Sequence, residues 1–307
     1  MRSYATNAGK ALAALAVLPL ILTGCIGTAQ QDDKPNIVVT TNILADVVQN
    51  LAGDQAEVHT LMPANVDPHS FEISAQQAAV LNEADLVVSN GLNLEEGLQR
   101  QLEAVDAAGD NHFVATDHVK VLNVSGSSDS KDPHFWTDPA RMIDVVDALE
   151  EDLGQVPGVS KEQLQADVLA YRSELSGLQQ QMSESFEQIP EASRALVTNH
   201  HVFGYLADSF GFRTIGAVIP SGTTLASPSA ADLASLAEAI RSSKVRAIFV
   251  ESAQPDKLAR ALAQEANIDV QIVELYSESL TLPDEGADSY LQMMQVNTER
   301  ITQALRN

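Results

Sequence analysis

Residues 160–190 read SKEQLQADVLAYRSELSGLQQQMSESFEQIP. The apolar positions are Leu164, Val168, Tyr171, Leu175, Leu178, Met182, Phe186 and Ile189, spaced 4, 3, 4, 3, 4, 4 and 3. That spacing is one apolar stripe along one long helix. Ser160 followed by Gln163 predicts a capping box at its start, and Pro190 marks its end. About 29 residues at 1.5 Å each make a rod of roughly 43 Å. A coiled-coil partner could use such a stripe. It can equally pack along two lobes of its own chain, and the flanking sequence favours this second reading.

On the N-terminal side, short apolar runs at Ile37–Thr40, Glu57–Met62, Asp85–Ser89 and His112–Ala115 read as strands. Helical patterns at Ile43–Ala52, Ala75–Ala84 and Glu95–Ala108 lie between them. The C-terminal side repeats the plan. Strands are expected at Ala195–Thr198, Thr214–Ile219, Ala247–Glu251 and Val270–Leu275. Helices are expected at Val202–Phe210, Pro228–Arg241, Pro255–Ala266 and Asp288–Ala304. Strands alternating with helices of this length predict βαβ units and parallel sheets. The fold class is therefore α/β, with two lobes of parallel βα units joined by one long rigid helix. The expected divisions are 36–158 for the first lobe, 159–190 for the linking helix and 191–307 for the second lobe. Asn123–Lys131 (NVSGSSDSK) reads as a mobile loop.

The chain has 307 residues, 45% of them hydrophobic, which is ample for a core in each half. It carries 42 acidic and 18 basic residues, a net charge of −24. Such a balance argues against nucleic acid as a partner, since polyanion binding needs a basic face. Cys25 is the only cysteine, so an intrachain disulfide and a Cys-type zinc finger are both excluded. There is no G-x-x-x-x-G-K phosphate loop, so any ATPase must be a separate chain.

Residues 1–24 read as a signal peptide: Arg2 and Lys10 precede an apolar run of 12 residues, Ala11 to Leu22. That run falls short of the roughly 20 residues a spanning helix needs. Leu22-Thr23-Gly24-Cys25 resembles the bacterial lipobox, which implies lipidation of Cys25 as the first mature residue. Residues 25–35 then form the lipidated start and a polar tether. The chain is expected to be exported and anchored by lipid to the cell membrane, on its periplasmic or outer face.

Seven histidines sort by place. His59 and His112 fall within strand runs and read as core or face residues, and His118 reads as surface. His201 is expected to open a helix as a bystander or outer partner. Four other groups follow strands. Asp67-Pro68-His69 comes after the second strand, Asp132-Pro133-His134 after the fourth and His200 after Asn199; Glu278 lies three residues past Leu275. Ligands of open α/β sheets bind beyond the carboxyl ends of the strands, so a cleft between lobes would gather these groups. Imidazole suits zinc and related metals, and a carboxylate completes a four-ligand shell.

The motifs also carry a family resemblance. Thr41–Asp46 (TNILAD), Asp67–Glu72 (DPHSFE), Ala84–Gly91 (ADLVVSNG), Asp132–Pro139 (DPHFWTDP), His200–Tyr205 and Ser289–Met294 (SYLQMM) with Asn297 span nearly the whole mature chain. It resembles the cluster A-I solute-binding lipoproteins of bacterial zinc and manganese ABC importers. The resemblance implies metal ligands at His69, His134, His200 and Glu278. Glu278 stands where the family usually has Asp, which leaves Asp284, Glu285 and Glu251 as alternative carboxylates. Glu72 and Asp138 are offered as outer or structural partners of the ligands. The long His-rich loop of many zinc-specific members is replaced here by NVSGSSDSK. The implied partners are an ABC permease and its separate ATPase, with the protein itself a monomer and not an enzyme. A nitrogen-rich shell favours Zn²⁺, with Mn²⁺ as the alternative. An exported zinc-containing adhesin or hydrolase is the remaining alternative; no H-E-x-x-H helix supports a hydrolase.

Overall fold

The computed structural model describes residues 34–109, 111–253, 256–265 and 270–306. The signal segment, Cys25, most of the tether and Pro255 lie outside the described residues. Two four-stranded parallel sheets are present. The first contains β1 (Asn36–Val39), β2 (Glu57–Thr60), β3 (Leu86–Ser89) and β4 (His112–Val114), in the order β2-β1-β3-β4. The second contains β5 (Ala195–Thr198), β6 (Arg213–Ala217), β7 (Ala247–Glu251) and β8 (Gln271–Leu275), in the order β6-β5-β7-β8. The two sheets thus share one topology, and in each the chain reverses its direction of travel across the sheet after the second strand. The carboxyl ends of β1, β3, β5 and β7 flank these switch points, where α/β sheets bind ligands.

Helices α1 (Asn42–Ala52), α2 (Ala75–Asn82), α3 (Gln99–Ala108) and α4 (Pro139–Leu153) belong to the first half, and α5 (Lys161–Glu187) follows. The second half holds α6 (Gly204–Phe210), α7 (Ala230–Ser243), α8 (Lys257–Glu265) and α9 (Tyr290–Leu305). Helix α4 is absent from the sequence expectation. Its signals are local: the Asp138 side chain accepts from Ala140 N, Pro139 opens the helix, and Met142, Val145, Val146, Leu149 and Leu153 are buried. The helix expected at 95–108 is divided, because Glu96–Leu98 forms a 3-10 turn before α3. Helix α6 begins at Gly204 rather than Val202, so His201 lies in the loop before it.

Strand alternation determines how the layers pack. In β1, Ile37 and Val39 join one apolar cluster and Val38 another. In β7, Ala247 and Phe249 join that same first cluster, while Ile248 and Val250 join a third. Period-2 geometry therefore gives each sheet one inner and one outer apolar face. Helices α2 and α3 contribute Leu81 and Val105 to the outer side of the first sheet, and α7 and α8 contribute Leu236, Ile240 and Leu262 to that of the second. The inner faces share one continuous core with α1, α4, α5, α6 and α9. Every apolar residue of the α5 stripe from Leu164 to Phe186 is buried in it.

Ser160 accepts from Gln163 N at the start of α5, but Gln163 Nε2 turns outward to Asp167, so only half of the expected capping box forms. The loop expected to be mobile is folded back on itself: Asn123 and Lys131 form an antiparallel bridge, and Val124 N donates to Ser130 O. At the end of β3, Gly91 has φ +91°, and a Cβ there would collide with Thr116 and Val114. Among the described residues no helix is long and apolar enough to cross a membrane.

Candidate metal centre

His69, His134, His200 and Glu278 are brought together, each offering one donor atom, with all four atoms within 4.8 Å of one another. All four residues are buried. Glu278 Oε1 lies 3.0 Å from His134 Nε2, 3.0 Å from His200 Nε2 and 3.4 Å from His69 Nε2. His134 Nε2 and His69 Nε2 are 3.3 Å apart. Donors held about 2.0–2.1 Å from a tetrahedral ion sit roughly 3.3 Å from each other, so these separations match the edges of such a shell.

The two Asp-Pro-His turns are built alike and then diverge. Asp67 Oδ1 accepts from His69 N at 3.0 Å, and Asp132 Oδ1 accepts from His134 N at 3.0 Å. Each aspartate thereby fixes the turn that aims its histidine. Asp132 Oδ1 also lies 2.7 Å from His134 Nδ1 and orients that ring with Nε2 toward the centre. Asp67 instead accepts from Thr224 in the second half, at 2.6 Å. Gly204 is required beside this turn, because a Cβ there would run into Asp132 Oδ2.

Electrostatics within the cluster follow from burial and proximity. Burial opposes a charge on His134, but hydrogen bonds to Asp132 and Glu278 outweigh it and push its pKa up to about 9. Burial lowers that of His200 despite Glu278. Burial likewise opposes charge on Glu278, yet the surrounding histidines hold its carboxyl well below the usual range. Without a cation, a proton on His134 and the charge on Glu278 therefore favour each other across 3.0 Å. His69 Nδ1, His200 Nδ1 and Glu278 Oε2 have no hydrogen-bond partner there. Three imidazoles, one carboxylate and unsatisfied polar atoms suit a divalent cation as cargo.

The other sequence candidates separate from the cluster. Asp284 and Glu285 are exposed, and Asp284 adopts φ 68° in a surface turn. Glu251 is buried but accepts from Ser277 N, Ala253 N and Ser252 Oγ, so it supports the Glu278 loop from behind. Burial, reinforced by Glu278, raises its pKa to about 8. Glu72 is exposed. Asp138 caps α4 and accepts from Ser209 Oγ, which is the structural one of the two roles expected for it. His201 is half-buried, with its pKa lowered by burial, and lines a small cavity with Asp132, Thr198 and Phe203. His112 links Ser89 Oγ at 2.8 Å to Asp106 at 2.7 Å, tying β4 to β3 and α3. His59 and His118 are exposed, and His118 stacks on Phe113.

Sequence reasoning missed the outer partners. Asp132 was legible in its spacing, two residues before the histidine, which is the reach of an aspartate turn. Trp136 Nε1, which donates to Ser277 O at 2.8 Å, carries no signal in either segment alone.

Comparison with known proteins defines the class: a metal-binding, substrate-binding protein of an ABC importer. The family model ZnuA, zinc-uptake complex component A, periplasmic, matches residues 37–304, and the chain belongs to that family. Its members are solute-binding proteins and not enzymes. The manganese ABC transporter substrate-binding lipoprotein PsaA of Streptococcus pneumoniae is 29% identical over 311 residues, 96% of this chain and 99% of the relative. The periplasmic zinc binding protein TroA from Treponema pallidum superposes with TM-score 0.82 at 29% identity, covering 89% of this chain and all of that one. A Mn-bound periplasmic metal binding protein from candidatus liberibacter asiaticus gives TM-score 0.80 at 26% identity, over 89% of this chain and 100% of the other.

Proposed function

We propose that this protein captures Zn²⁺ outside the cytoplasm and delivers it to an ABC permease driven by a separate ATPase subunit. His69, His134, His200 and Glu278 would be the ligands, and the lipid on Cys25 would hold the monomer at the membrane. The observation that carries this reading is the convergence of three imidazole Nε2 atoms and one carboxylate oxygen within 4.8 Å. A shell of three nitrogens favours zinc over the oxygen-preferring Mn²⁺. With four protein groups on the ion, the site leaves no open position of the kind that hydrolytic zinc requires.

A manganese receptor is the second reading. It is favoured by Glu278 Oε2, which is buried without a partner and so free to make the carboxylate bidentate. PsaA is a manganese relative. Metal analysis of protein purified under native conditions, followed by direct Zn²⁺ against Mn²⁺ competition, decides between them. Zinc is expected in the native preparation. Affinity in vitro alone would favour zinc at almost any such site, so the native content is the deciding measurement. Manganese in that preparation at near one equivalent would reverse the assignment.

A further inference from the structure

His134 has an orienting carboxylate in its own turn, at 2.7 Å from its outer ring nitrogen. His69 has none, because Asp67 is engaged with Thr224. Its Nδ1 is buried, without a hydrogen-bond partner, and the nearest carboxylate is Glu96 Oε1 at 3.8 Å. Metal-bound histidines almost always donate the other ring N–H, most often to a carboxylate or carbonyl. Hydrogen-bond distance is about 2.7–3.2 Å, so a shift below about 1 Å completes the contact.

Glu96 is also bound from the opposite lobe. Thr223 Oγ1 donates to the same Oε1 at 2.7 Å. Thr223 lies in the irregular segment 218–229, which leaves β6 and crosses to the first lobe. Its neighbour Thr224 donates to Asp67, in the turn that aims His69. One oxygen thus faces both a ligand ring and a side chain of the crossing segment. The Glu96 side chain is 30% exposed, against 1% for His69, so it stands between the buried ring and solvent.

We propose that Glu96 is the positioning residue for His69, and that by sharing its carboxylate with Thr223 it couples ligand orientation to the seating of segment 218–229 on the first lobe. The inference rests on His69 being a metal ligand. When an ion draws His69 Nε2 inward, Nδ1–H turns toward Glu96. The carboxylate, held in place by Thr223, then keeps the ring in its binding tautomer. Loss of the Thr223 bond would free Glu96 and loosen His69 together.

The test uses the full mature chain with Zn²⁺ as the probe. Zinc affinity, the rate of zinc loss to a chelator and the NMR resonance of His69 Nδ1–H are measured for wild type, Glu96→Ala, Glu96→Gln, Thr223→Val, the Glu96→Ala/Thr223→Val double variant and His134→Ala. Glu96→Ala is expected to weaken zinc by about 10–100-fold and to abolish the slowly exchanging Nδ1–H signal. Glu96→Gln, whose amide oxygen still accepts, should recover most of both. Thr223→Val should speed zinc release by about tenfold, the size of one charge-assisted hydrogen bond. The double variant should release zinc no faster than Glu96→Ala, since both act through one carboxylate. Wild-type affinity with an unchanged resonance in Glu96→Ala would overturn the proposal. Glu96→Gln falling as far as Glu96→Ala would replace orientation with simple charge attraction, and strictly additive release rates would remove the coupling. Wild-type affinity in His134→Ala would instead overturn the four-ligand site, and this inference with it.

Discussion

Trp136 donates its indole N–H to the carbonyl of Ser277 at 2.8 Å, joining two segments 141 positions apart. Trp136 sits two residues beyond His134, and Ser277 immediately precedes Glu278. Tyr290 OH donates to the Trp136 carbonyl at 2.6 Å from the start of α9. These bonds set the spacing between one histidine and the carboxylate. Trp136→Phe should weaken zinc binding about tenfold or less while leaving the fold intact, because it removes one buried hydrogen bond and retains an aromatic ring. Calorimetric titration with zinc measures it; an unchanged affinity would mean that backbone packing alone sets the spacing.

The histidines should divide cleanly on mutation. His69→Ala, His134→Ala and His200→Ala are each expected to lose more than the ~10–100-fold that loss of an outer partner costs. His59→Ala and His112→Ala should bind as wild type, since neither belongs to the cluster. Glu278→Gln keeps the volume and removes the charge that His134 and His200 face. No other acidic side chain of the described residues joins that cluster, so a loss comparable to that of a histidine is expected. A competing zinc chelator monitored by absorbance gives the ranking.

Acidification should weaken zinc binding from higher pH than an ordinary histidine would suggest. The pKa of His134 is raised to about 9, so at neutral pH it holds a proton that the ion must displace. His200 is shifted the other way and is already neutral there. Affinity should therefore fall about tenfold per pH unit below about 9, the slope for one displaced proton. Calorimetry in buffers of different ionisation enthalpy counts that proton directly, and a count of zero at pH 7 would contradict the imidazolium.

Glu251 predicts an opposite sense of pH dependence from that of an ordinary salt-bridged acid. Its folded pKa is about 8, above the ordinary glutamate value of 4.5, so folding favours its protonated form. That contribution is present below about pH 4.5 and is lost as the pH rises toward 8. Metal-free Glu251→Gln, neutral throughout, should gain melting temperature relative to wild type across that range. Parallel melting curves for the two proteins from pH 5 to 8 would exclude the effect.

Phe186 near the end of α5 packs edge-on against Phe210 and Phe212, with ring centroids 5.1 and 5.0 Å away. It is 1% exposed. Phe186→Ala should cost about 3–5 kcal/mol in urea unfolding, as expected for an aromatic removed from a filled core.

Lipidation of Cys25 would hold the protein at a membrane. Wild type should partition with membranes, and Cys25→Ser should be released or accumulate as precursor. A fully processed Cys25→Ser protein that still partitions with membranes would count against the lipobox reading.

What could be read from the sequence was whatever repeats locally. The α5 stripe, the strand runs and the Asp-Pro-His turns each carry a period or a spacing within a few residues, and all correspond to observed features. The four clustered side chains were legible because each follows a strand at the same end of a parallel sheet. What was missed depends on distant pairing. Asp138 reads from its place near His134 as either an outer partner or a structural support; that it is the second depends on Ser209, 71 positions away, and on the cap of α4. Glu96 and Thr223 are 127 positions apart, and nothing near either residue announces the other. The loop at Asn123–Lys131 is polar enough to suggest mobility, yet main-chain bonds between its two arms fold it back.

The shared inner core bears on how such proteins can be recombined. Ile37 of the first sheet, Tyr171 of α5 and Phe249 of the second sheet belong to one cluster. A cut between residues 158 and 161 would strip the first sheet's inner helices of their α5 cover, and a cut after 190 would do the same to α9. Neither half is a transplantable module. A chimera between two relatives that exchanges one lobe must therefore carry α5 and its facing helices as a matched set. The exchange must also carry Phe135, Trp136, Phe203 and Leu280, the neighbours of the clustered side chains that belong to the same interior.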